Sequence, residues 1–300
     1  MVRRSVVSRV LRAFRGLRGL RALRAGAVAA GAYAVAAALS HCYWLTPYDD
    51  LTSDGAGGDG GDAGAIAYPP GGGWRLVFDD EFEGRTLDRR KWDTKYPRDG
   101  ERAYSDPDNG EAQWYLEQNA IVEDGKLKLT ARREEYRSPS RVFRYTSGMV
   151  HAKSSPFQYG YMEARMLLPK GVGFHPSFWT WPEDENASPE IDVMSFFSGT
   201  PSKISCIYHP PGGGSTVGTD VTRADWSDGW HTFAADWSRD GVNWYIDGQW
   251  VHSSPAPSTK LYMILTMAVT NGAAGFPPAP DGNTTFPSAL QIDYVRVFQR

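Results

Sequence analysis

An all-β fold, a jelly-roll β-sandwich of two antiparallel sheets, is what this 300-residue sequence predicts. From Trp74 onward the apolar and aromatic residues come in short runs, many alternating with period two as half-buried strands do. Gly, Pro, Asn or Asp breaks the runs, and no amphipathic helix of three turns stands between them. The segment "NWYIDGQWV" sets Asp-Gly between two aromatic runs, the turn chemistry of a tight hairpin.

Four segments follow one another along the chain. Residues 1–24 carry eight arginines and no acid, the arginines recurring every third residue from Arg9 to Arg24. Residues 25–45, "AGAVAAGAYAVAAALSHCYWL", carry no charge while His41 is neutral, are long enough to span a bilayer, and end in Tyr43 and Trp44, which suit an interface. The reading is a signal-anchor transmembrane helix, with the rest of the chain outside the cytoplasm. A signal peptide with a long basic region and an Arg-rich transit peptide are the alternatives, and cleavage of the former leaves a secreted protein. Residues 46–73 form a Gly/Asp-rich flexible linker with almost nothing to bury. Residues 74–300 make one domain, and 41% hydrophobic with 13% aromatic residues is ample for one large core.

A net charge of −3, with the positive charge concentrated at the N-terminus, speaks against a nucleic-acid partner. Cys42 and Cys206 are the only cysteines, so no disulfide framework holds the domain together. Eleven tryptophans and fifteen tyrosines are many for such a domain, and core packing is the default reading of any one of them. Trp114 beside Gln113 and Tyr115, and Trp179 and Trp181 beside Phe178, are candidates for lining a sugar cleft, where rings stack on the apolar faces of pyranoses.

The chemistry centres on "SPEIDVMSFF", Ser188 to Phe197. In a strand, residues two apart face the same way, so Glu190 and Asp192 project together. Neighbouring carboxylates raise one another's pKa, which favours a protonated Asp192 that hydrogen-bonds Glu190 and orients it as a nucleophile. The apolar neighbours Ile191, Val193, Met194, Phe196 and Phe197 leave little room for a merely solvent-facing strand.

"EIDVMS" resembles the catalytic strand of glycoside hydrolase family 16, whose pattern is Glu, aliphatic, Asp, two apolar residues, Glu. "WRLVFDDEFEGRTLDRRKW", "EAQWY", "EDGKLKLTA", "YTSGMV", "YGYMEARMLLPKGVGFHPSFWTWP", "DGWHTFAADWSRDGVNWYIDGQWV", "LYMILTMAV" and "FPSALQIDYVRVFQR" resemble its other segments in order, across residues 74 to 300. The resemblance implies a concave face that binds a β-linked polysaccharide, usually of β-glucan type, for endo-hydrolysis or transglycosylation with retention. Glu190 matches the nucleophile and Asp192 its helper. A β-bulge brings the last motif residue to their face, and here that residue is Ser195, at the acid/base position. A serine hydroxyl is a very poor acid, and a missing general acid typically costs about 10²- to 10⁴-fold in rate.

Other departures fall on the same face. Ala112 stands for the Asn of "ENQWY", Met149 for an Arg common after "YTSG", and "HPSFW" for "WPAFW", which brings in His175. His175 and His209 are candidate replacement proton donors or sugar contacts, and Asp184 and Glu185 further candidates for the proton. The resemblance also implies a structural calcium held by Glu81, Gly125 and Asp293 through oxygen ligands; no other cofactor is required. Two functions stay open: a glycosidase or transglycosidase with Glu190 as nucleophile, and a cell-surface polysaccharide-binding protein without catalysis.

Overall fold

The computed structural model describes residues 67–184, 188–274 and 276–300. The predicted anchor, the linker up to residue 66 and Glu185 lie outside them. No helix among the described residues is long and apolar enough to cross a membrane.

The short apolar runs fold as strands: β1 (Arg75–Asp80), β2 (Gln113–Tyr115), β3 (Ala120–Glu123), β4 (Lys126–Ala131), β5 (Tyr136–Arg137), β6 (Val142–Phe143), β7 (Tyr145–Ser147), β8 (Met149–His151) and β9 (Gly160–Leu167). Then come β10 (Phe174–Pro182), β11 (Glu190–Phe196), β12 (Lys203–His209), β13 (Val217–Thr222), β14 (Trp230–Trp237), β15 (Val242–Ile246), β16 (Gln249–Ser254), β17 (Leu261–Val269) and β18 (Ser288–Gln299). One sheet runs β16-β15-β14-β9-β18-β4-β3, with β1 also paired to β18. The other runs β13-β12-β11-β10-β17-β8. The Asp-Gly signal is a hairpin between β15 and β16, with Asp247 and Gly248 both at positive φ, 50° and 72°, as a type I′ turn demands.

A single buried cluster draws on both sheets, with Met162, Ala164, Met166, Phe233, Trp237 and Val297 from one and Phe178, Ile191, Val193, Leu265 and Met267 from the other. Period-two alternation makes this possible, since every second residue of β9 and β10 is turned inward. Phe178 is fully buried, and truncating such a side chain to alanine costs about 3–5 kcal/mol. Strand β17 is buried along its whole length. Its inward residues enter the main core, while Tyr262 and Ile264 pack beneath Tyr96, Tyr115 and Met149. The loop that carries Tyr96 thus covers the β17/β8 end of the second sheet and leaves the open face over β10, β11 and β12. Gly148, between β7 and β8, has to be glycine because a Cβ there would lie 2.3 Å from the Asn119 carbonyl oxygen.

Candidate active site

On β11, Ile191 and Val193 enter the core, so Glu190 and Asp192 take the opposite, open face. Asp192 pairs with Ile207 of β12, and the next pair is Ser195 with Ser205: three residues advance on β11 against two on its neighbour. A register shift also appears against β10, where Trp179 faces Asp192, Phe178 faces Met194 and Ser177 faces Ser195. This bulge absorbs the extra residue, sends Met194 into the core and brings Ser195 to the face of Glu190 and Asp192.

Two side chains hold the bulge in place. The Thr180 hydroxyl accepts the Ile191 N–H at 3.0 Å and lies 3.3 Å from the Ile191 carbonyl, to which it donates. From the other sheet, the Trp244 indole N–H donates to the Asp192 carbonyl at 2.9 Å. The carbonyl at the start of the irregularity therefore finds a partner across the core, as a buried polar group must.

Glu190, Asp192 and His209 converge, one ligand atom from each lying within 4.8 Å of the others. His209 faces Glu190 across β12, and its Nε2 is 3.1 Å from Asp192 Oδ2. Burial, and then the Asp192 charge, push the Glu190 carboxyl well above the usual range. Burial by itself lowers the His209 imidazolium, but the hydrogen bond and charge of Asp192, with the charge of Glu190, outweigh it and carry the group up to about 9. His209 is thus a cation at neutral pH, with its Nε2 against Asp192 Oδ2. The triad is the one group of three potential metal ligands among the described residues, but the Nε2 facing Asp192 is committed to a proton rather than to a metal.

At the acid position, Ser195 is in contact with an imidazole. His175 Nε2 lies 2.9 Å from Ser195 Oγ and 3.2 Å from Ser177 Oγ, and the ring packs 4.2 Å from that of Phe197. Burial lowers the His175 imidazolium to about 4, against the opposing pull of the Asp192 charge. The two candidate histidines therefore sit on different groups, His209 with the carboxylate pair and His175 with the serine.

The aromatic candidates divide. Trp179 and Trp181 are half-buried on the open face, 5.8 Å apart and edge to face, while Phe178 points into the core. Trp114, expected to contact sugar, is 4% exposed. Tyr104 and Tyr136 stack on its two faces, each at 4.8 Å. Both of its π faces are occupied by the protein, so Trp114 is a packing residue.

Several residues near the site carried no local signal in the sequence. Arg98, in a turn, stacks over Tyr96 and Trp181 at 4.9 and 5.8 Å and pairs with Asp106 at 2.7 Å; its charge acts on Glu190. Glu111 is buried, accepts from the Tyr96 and Tyr115 hydroxyls at 2.8 and 3.0 Å and from the Asp106 N–H at 2.6 Å, and is pushed up to about 7 by burial. It fixes the covering loop. Asp184 is exposed just past β10.

The donor set named for calcium does not fit that ion. The Glu81 carboxylate is taken by Arg296 through two hydrogen bonds of 2.7 and 2.8 Å, and Asp293 pairs with Arg165 at 2.6 Å. Each carboxylate already has a cation, and Gly125 lies in the hairpin turn between β3 and β4.

A two-sheet antiparallel sandwich with a Glu-x-Asp pair on a bulged strand of its open face is the arrangement that the resemblance of the sequence implies for a glycoside hydrolase fold. Residues 108–296 match the model of glycosyl hydrolases family 16, and the chain belongs to that family. It is 31% identical over 275 residues to glucan endo-1,3-β-glucosidase A1 of Niallia circulans, an alignment covering 79% of this chain and 39% of that one. The chain thus spans less than half the length of that relative. The laminarinase catalytic domain of Thermotoga maritima superposes with a TM-score of 0.67 at 29% identity, covering 76% of this chain and 98% of that one. A glutamate-to-serine variant of SCLam, a non-specific endo-β-1,3(4)-glucanase solved with a 1,3-β-D-cellobiosyl-glucose at its active site, superposes at 0.68 with 26% identity, covering 78% and 97%.

Proposed function

We propose that the domain binds a β-linked glucan across β10, β11 and β12 and transfers a glycosyl unit with retention, Glu190 acting as nucleophile. The observation that carries this reading is the bulged strand, which aligns Glu190, Asp192 and Ser195 on one open face beside Trp179. Retaining glycosidases flank the scissile bond with a nucleophile and an acid/base group about 5–5.5 Å apart. Asp192, paired with His209, orients Glu190, and Trp179 and Trp181 offer rings to the sugar faces. The endo-β-glucanase relatives support a β-1,3- or mixed β-1,3-1,4-glucan as the substrate.

A second reading is retention of the polysaccharide without cleavage. It is favoured by Ser195 at the acid position, and by the oligosaccharide held in the glutamate-to-serine relative. The two readings part on an activated donor, because a 2,4-dinitrophenyl β-glycoside of a laminari-oligosaccharide needs no protonated leaving group. Release of about one dinitrophenolate per chain, lost in Glu190→Ala, is the expected result. Binding of the oligosaccharide with no release supports the second reading. The arginine-rich segment 1–24 and the apolar run 25–45 support a domain exported from the cytoplasm, tethered or secreted.

A further inference from the structure

Three departures from the family pattern meet at one point. Where that pattern has the Trp and Ala of "WPAFW" on one strand and the final Glu of the catalytic motif on the next, this chain has His175, Ser177 and Ser195. Ser177 and Ser195 are register partners across β10 and β11, and His175 Nε2 lies within hydrogen-bond distance of both hydroxyls. A tryptophan nitrogen can only donate, and an alanine offers nothing. The loss of the carboxylic acid is therefore accompanied, at both neighbouring positions, by groups that accept and pass a proton. Simple loss of the acid needs no such partners. His209 is engaged by Asp192 on the nucleophile side and is not available for this task.

Resting on the proposed glycosyl transfer, we propose that His175 and Ser195 together replace the missing acid/base carboxyl, the imidazole exchanging its proton through the serine hydroxyl. In the first step a Glu190 oxygen bonds to the anomeric carbon and the glycosidic C–O bond breaks. The leaving oxygen takes the Ser195 proton, Ser195 Oγ takes the proton from His175 Nε2, and His175 is left neutral. In the second step water attacks the anomeric carbon and its proton passes through Ser195 Oγ to His175 Nε2. The ester bond to Glu190 breaks, and Glu190 is again a carboxylate. Ser177 holds the ring by its contact with the same nitrogen. The first step draws on the imidazolium, which burial holds down to about 4 against the charge of Asp192, so the relay is loaded on the acid side of neutrality and hydrolysis of laminarihexaose is expected to rise as the pH falls toward 4.

The test uses the full chain, laminarihexaose as unactivated substrate and the dinitrophenyl laminari-oligosaccharide as activated donor. His175→Gln is expected to lower hydrolysis of laminarihexaose by about 10²-fold or more, while the dinitrophenolate burst keeps its amplitude and so counts folded, competent molecules. Steady-state turnover of the activated donor falls as well, because the second step has lost its base. Azide, which attacks without a base, restores that turnover and yields a β-glycosyl azide. In a Ser195→Glu background the His175→Gln change loses most of its effect. Equal hydrolysis of laminarihexaose by wild type and His175→Gln, with the burst intact in both, overturns the relay. So does a burst from the wild type with no hydrolysis of laminarihexaose. Absence of the burst from the wild type defeats the glycosyl-transfer reading itself.

Discussion

Restoring the carboxylic acid at position 195 probes how much chemistry the serine has cost. Ser195 is 8% exposed on the open face, with its hydroxyl 2.9 Å from His175 Nε2 and opposite Ser177. A glutamate there extends the side chain toward the cleft and gains the imidazole as a hydrogen-bond partner. General acid catalysis is worth about 10²- to 10⁴-fold, or about 3–5 kcal/mol of barrier. The His175–Ser195 pair recovers part of that, so the increase in kcat for an unactivated β-glucan is expected near the lower end, about 10²-fold. The assay compares reducing-end release by wild type and Ser195→Glu at equal concentrations of folded protein, with the dinitrophenyl donor as control. The burst on that donor should change by less than about 10-fold, because its leaving group needs no proton. Unchanged kcat on the unactivated glucan, in a variant that unfolds at the wild-type temperature and still gives the burst, would refute the assignment of Ser195 to the acid position.

Four further outcomes follow from the packing and the charges. Trp114→Ala should cost about 3–5 kcal/mol of stability in chemical denaturation and leave oligosaccharide affinity at wild-type level, because both ring faces are covered. Trp179→Ala should do the reverse, weakening binding in calorimetry about tenfold with little loss of stability. Trp244→Phe removes the hydrogen bond to the Asp192 carbonyl from the opposite sheet; a loss of about 1–3 kcal/mol and a slower burst are expected, whereas a wild-type burst rate would show that the bulge does not depend on it. His209 is raised in the folded state from 6.5 to about 9, so its stabilisation is fully present below the unfolded value and is lost as pH rises through 9. The difference in unfolding temperature between wild type and His209→Gln should therefore shrink across that window, and a constant difference would contradict the pairing with Asp192.

The parts of the fold that depend on neighbours in sequence were legible in it. Period-two alternation gave the strands and the common face of Glu190 and Asp192, Asp247-Gly248 gave a hairpin, and the family resemblance implied the bulge that adds Ser195 to that face. What failed depended on distant segments. Trp114 reads as a cleft residue until Tyr104, from a loop, and Tyr136, from β5, close on its faces. Glu81 and Asp293 read as calcium ligands because they sit at the motifs where the family resemblance implies them, and only the fold brings Arg296 and Arg165 to them as cations. His175 and His209 were equal candidates in sequence. The pairing of β10 and β12 with β11 separates them, one beside the serine and the other beside the carboxylates.

The most direct test of the account is the mass of the protein after brief exposure to the activated laminari-oligosaccharide donor. One added glycosyl unit per chain, mapped by peptide mass spectrometry to Glu190 and absent from Glu190→Gln, is the predicted result. An unmodified protein that nonetheless binds the oligosaccharide, or a label on any other residue, would contradict it.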